Sequence, residues 1–114
     1  MPNTSTLSSF SPPLDVPAIF ADARAARTEY ETLVNALDSC IAPSTWRRVA
    51  AEIHRTGALM LLVYTTNRVP DGCILTLGLI QCHVDRANDA EHHAEYAERM
   101  ASAARSYPCV EVVS

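Results

Sequence analysis

A chain of 114 residues is long enough to form one domain that buries its own core without a metal or disulfide. Its formal net charge of -4 argues against nucleic acid as a partner, because displacing phosphate counterions needs a basic surface. No apolar run approaches the length that spans a bilayer, so no membrane partner is expected either.

The amino-terminal stretch from Met1 to Pro13 is rich in Ser, Thr and Pro. It lacks the basic and apolar regions of a secretory leader and reads as a disordered tail, which leaves 14–114 as a single domain. Asp15 followed by Pro17 marks a helix start, with the carboxylate as N-cap and the proline where its missing N–H costs nothing. Apolar residues then recur at helical spacing through Val16, Ile19, Phe20, Ala23, Ala26, Tyr30, Leu33, Val34, Leu37, Cys40 and Ile41. Pro43 is expected to stop this helix and Ser44 to cap a second, whose inner stripe is Trp46, Val49, Ala50 and Ile53 and which closes near Gly57.

The next two segments read as strands. Ala58 to Tyr64 is apolar at every position, as a strand covered on both faces would be, and Cys73 to Val84 is a second apolar run. Between them lies Thr65-Thr66-Asn67-Arg68-Val69-Pro70-Asp71-Gly72, which carries turn residues, so a β-hairpin is expected. Asn88 with Glu91 resembles a capping box for a third helix from Asp89 to about Ser106. Its inner stripe is Ala90, His93, Ala94, Ala97, Met100, Ala101 and Ala104. A final strand, Cys109 to Val113, follows Pro108. The expected fold is α+β in the order α-α-β-β-α-β, with a three-stranded, mainly antiparallel sheet of strand order 2-1-3 packed with three helices.

All nine basic residues are arginine, a bias expected of a GC-rich coding sequence and not read as function. Arg47, Arg48 and Arg55, with His54, project from the outer face of the second helix, and Arg68 stands in the expected hairpin loop. Together they form a candidate site for an anion or an acidic partner segment. The densest set of metal-type ligands runs from Cys82, His83 and Asp85 to Glu91, His92, His93 and Glu95. Neighbouring residues on a strand or helix point apart, so the best subset is His83, Asp85 and His92, and no metal or other cofactor is expected. The four cysteines show no C-x-x-C spacing and read as reduced, buried thiols of a cytoplasmic protein. Only three glycines occur, each isolated, and no phosphate-binding loop is present.

These features favour a small acidic, non-enzymatic domain that binds a protein partner or forms a homodimer. Its size and charge resemble those of bacterial immunity proteins and secretion chaperones, with no motif shared. The alternative is a small enzyme or ligand-binding domain with its site near His83, Asp85 and His92. The two separate on whether those side chains line one concave pocket.

Overall fold

In a computed structural model, residues 14–36 and 41–106 are described. They form three α-helices: α1 (Val16–Asn35), α2 (Pro43–Thr65) and α3 (Leu77–Ser106). Among the described residues there is no strand, and the expected α+β fold with its three-stranded sheet is overturned. The expected final strand at Cys109 to Val113 lies outside the described residues, as do the tail from Met1 to Pro13 and residues Cys40 and Cys109.

The start of α1 is as expected: the Asp15 carboxylate accepts from the Ala18 N–H at 3.1 Å, and Pro17 sits in the first turn. The helix ends at Asn35, short of the expected Ile41. Pro43 does more than interrupt the chain, because it occupies the first turn of α2. Its ring holds Ala42 in the extended region and presets the helical φ of the first turn, so Ala42 rather than Ser44 is the N-cap.

The first expected strand is the second half of α2. Ala, Leu and Met are strong helix formers, and nothing between Trp46 and Tyr64 stops a helix already under way. Gly57 is an interior helical residue instead of a terminus. A Cβ placed there would lie 2.7 Å from Val84 Cγ2, so the glycine permits the close approach of α2 and α3. The apolar positions missing from a strand-like alternation follow the helical stripe through Ile53, Gly57, Met60 and Val63, all buried.

The presumed hairpin turn is two successive chain reversals. Asn67 takes a left-handed φ of 57°, its N–H bonds the Tyr64 carbonyl at 3.2 Å, and the Arg68 N–H bonds the Val63 carbonyl at 2.9 Å. This is the Schellman helix stop, with asparagine in the position glycine often takes. A turn then runs from Pro70 to Cys73, whose N–H bonds the Pro70 carbonyl at 3.1 Å, with Gly72 at φ 82°. A left-handed third residue is what a type II turn demands.

Residues 77–84 of the second expected strand are the opening turns of α3. Thr76 sets the start: its hydroxyl accepts from the Leu79 N–H at 3.1 Å and its carbonyl from the Ile80 N–H at 3.1 Å. Asn88 and Glu91 therefore fall inside the helix, well after its true start at Leu77, and the capping box does not form there.

The three helices bury two apolar clusters, one toward each end of the bundle. At one end Trp46, Val49, Ala50 and Ile53 meet Ala26 and the alanines Ala87, Ala90 and Ala94. At the other, Met60 and Val63 meet Ile19, Ala23 and Ile80. The first half of the alanine stripe of α3 packs against α2, where a helix rather than a sheet receives it. Beyond Glu98 the helix runs past the start of α2, and Met100, Ala101 and Ala104 are exposed. On its other side the α2–α3 pair carries α1, which packs chiefly on α2.

Candidate functional site

The site residues expected from sequence do not converge. His83 is buried at 5% exposure between α2 and α3, and its Nε2 lies 2.8 Å from Thr56 Oγ1. The Thr56 hydroxyl is 2.9 Å from the Glu52 carbonyl oxygen. A neutral ring that donates from Nε2 to Thr56, which in turn donates to Glu52, satisfies the group; no buried side-chain polar atom among the described residues lacks a partner. Burial, then the charges of Arg86 and Arg27, hold the imidazole below its ordinary pKa. Asp85 is exposed and accepts from Gln81 Nε2 at 2.8 Å. His92 is exposed beside Glu95, on the face of α3 opposite His83, since nine residues of helix amount to about 180° of rotation. The three share no pocket. Among the described residues no three metal-type ligands come together.

The arginines of α2 are held by the protein's own carboxylates. Arg47 makes a two-pronged bond to Glu98 at 2.7 and 2.6 Å, which keeps Glu98 below the usual carboxylate range. Arg48 pairs with Glu29 and Arg55 with Glu52 and Asp22, so α2 is clasped to α1 along one edge and to α3 along the other. Arg68 is exposed in the connection, away from these three. Trp46 is buried, and His93 stacks on it with ring centroids 4.3 Å apart. Tyr30 donates to Asp89 at 2.5 Å, and burial followed by that bond pushes its phenol up to about 12. These are structural fastenings between helices.

Among the described residues, no helix covers the other face of the α2–α3 pair, opposite α1. There Gly57, Ala58, Leu61, Leu77 and Val84 line a groove of about 480 Å³. Two carboxylates adjoin its lining: Gln81 in the groove holds Asp85, and His54, also in the groove, stands 3.7 Å from Glu91. Six of the eight exposed large hydrophobic residues lie between positions 61 and 79, gathered at the end of the bundle where α2 gives way to α3. Ile74 is the most exposed of them, at 82%. Of these, Leu61 and Leu77 line the groove, and exposed apolar residues grouped in this way mark interaction sites. The strand reading misplaced it, because alternation puts Ala58 and Leu61 on opposite sheet faces whereas a helix puts them on one side. Extending the stripe Trp46, Val49, Ala50, Ile53 at helical spacing would have left Ala58 and Leu61 outside it. Cys73 and Cys82, expected as buried thiols, are exposed.

No described helix is long and apolar enough to cross a membrane. Comparison with known proteins finds no significant match to a family model, a curated protein or a solved structure.

Proposed function

We propose that this protein is a non-enzymatic binding module that receives an amphipathic helix of another protein in the groove between α2 and α3. The groove occupies the place a fourth helix would take in a bundle, and that observation carries the reading. Small residues, Gly57 and Ala58, form its floor, with Leu61 and Leu77 beside them, a shape suited to a helix bearing apolar anchors at i and i+3 or i+4. The carboxylates of Asp85 and Glu91 along its margin favour a basic helix. The same carboxylates disfavour a second copy of this chain, which would bring like charges together.

A leucine-rich amphipathic peptide with lysines flanking its apolar stripe is the probe, and its twin carries glutamates instead. The lysine peptide should bind, and Leu61→Asp should weaken it at least about tenfold, while the glutamate peptide should bind far less. Equal binding of the two peptides, or binding indifferent to Leu61→Asp, would refute the reading. Sedimentation at micromolar concentration settles the remaining option: a dimer that Leu61→Asp dissociates would assign the groove to a second copy.

A further inference from the structure

A second cleft lies on the other side of α3, where it faces α1. It measures roughly 420 Å³, the size of small-molecule sites, and its apolar walls come from Phe20, Met60, Ile74, Leu75 and Leu79. Arg24, Arg27 and Arg86 also line it, and no carboxylate does. The contrast with α2 is one of kind: there Arg47, Arg48 and Arg55 each hold a carboxylate. Arg24 and Arg27 make no hydrogen bond or ion pair with any described residue, and Arg86 donates only to the Cys82 carbonyl at 3.1 Å. Arg24 and Arg27 are also three residues apart on one helix, a spacing at which like charges repel. His83, at the cleft's inner edge, is bonded to Thr56 and adds no compensating negative charge.

We infer that this cleft binds a small anionic amphiphile: a carboxylate or phosphate head held by Arg24, Arg27 and Arg86, with an apolar chain lying against Phe20, Met60, Ile74, Leu75 and Leu79. The guanidinium groups match the geometry of either oxyanion, and a ligand of this class relieves their mutual repulsion while covering exposed apolar wall. A purely apolar ligand would leave the three charges unmatched. A bare anion would leave the walls wet.

Dodecyl phosphate, kept below its micelle concentration, is the probe, with inorganic phosphate and dodecanol as its two halves. Calorimetric titration of the full chain should show binding of dodecyl phosphate at least about tenfold tighter than either half. Arg27→Gln and Arg86→Gln should each weaken it about tenfold, the loss expected for one charge-assisted hydrogen bond. Leu79→Ser should weaken dodecyl phosphate while leaving the response to inorganic phosphate unchanged. Cys73 and Cys82 line the same cleft, so bound dodecyl phosphate should slow their alkylation, read by peptide mapping. Arg24→Gln, on an exposed position, serves as the check should Arg86→Gln fail to fold. The inference is overturned if dodecanol or inorganic phosphate binds as tightly as the amphiphile, if no arginine variant alters binding, or if the protein takes up only vesicles of anionic phospholipid and no monomeric amphiphile.

Discussion

The two faces of the α2–α3 pair are built from the same kinds of residue and meet different fates. On the face that α1 covers, Val49, Ile53 and Val63 are fully buried, and His83 and Thr56 satisfy each other. On the opposite face Ala58, Leu61 and Leu77 line an open groove. Burying a side chain of this class contributes about 1.5–3 kcal/mol, so the covered face supplies the stability and the bare face retains apolar area for association. A third helix covers one side of a helical hairpin, and a fourth would be needed for the other.

The sharpest way to break this comparison is to charge each face in turn. Val63→Asp should unfold the protein or cost several kcal/mol, because it places an unpaired carboxylate in a fully buried position. Leu61→Asp, two residues away, should cost little stability, since that side chain is 41% exposed. Leu62→Asp, which would be ruinous on a central strand, should be nearly as mild at 42% exposure. Chemical denaturation of the three variants measures the difference; equal losses would mean that the groove face is covered after all.

Gly57→Ala ranks next. Alanine is the better helix former by about 1 kcal/mol, yet its Cβ would stand 2.7 Å from a branched Val84 methyl that has little freedom to move. A net loss of about 1–3 kcal/mol is expected, with most of it recovered in the Gly57→Ala, Val84→Ala double variant. A stabilised single variant would show that the two helices are not held at glycine distance.

Titration of His83 and Tyr30 gives two smaller effects of opposite sign. His83 has its folded pKa below the unfolded value of about 6.5, so the unfolded chain binds the proton more readily. Stability should therefore be full above about pH 6.5, fall as the pH is lowered, and level off once the folded value is passed. Its slope is bounded by about 1.4 kcal/mol per pH unit for one proton, and His83→Asn should remove that part of the acid dependence. Tyr30 has its folded pKa raised to about 12, so its contribution is present below about pH 10 and is lost as pH rises from there toward 12. Tyr30→Phe should abolish that alkaline decline; an unchanged curve would remove the Tyr30 to Asp89 bond from the account.

The smallest effect belongs to the exposed clasps. Arg47→Gln breaks a two-pronged pair with Glu98, yet both groups are well solvated. Its melting temperature should change least of all these variants, and less still in high salt.

Much of the first half of the chain was legible as written. Asp15 and Pro17 announce α1, and the stripe of Trp46, Val49, Ala50 and Ile53 identifies the inner face of α2, because caps and helical periodicity are properties of neighbouring residues. The candidate site was legible only in part: the charges of Arg47, Arg48 and Arg55 could be placed on the outer face of a helix, while their partners Glu98, Glu29, Glu52 and Asp22 could not be assigned. Three of those carboxylates lie on other helices, and pairing across helices depends on how they are docked.

Local chemistry thus determined where the chain turns: Asn67 and Gly72 sit where left-handed backbone is required, and both are residues that tolerate it. What flanks those turns was decided by tertiary packing. A short run such as Ala58 to Tyr64 is apolar on every side and satisfies strand and helix alike, since periodicity cannot distinguish two wholly apolar patterns. The contact of Gly57 with Val84, and the bond between Thr56 and His83, exist only when both runs are helical and antiparallel. Which faces and which arginines the described helices leave uncovered follows from that docking, because exposure is a property of the assembled helices and of no single segment.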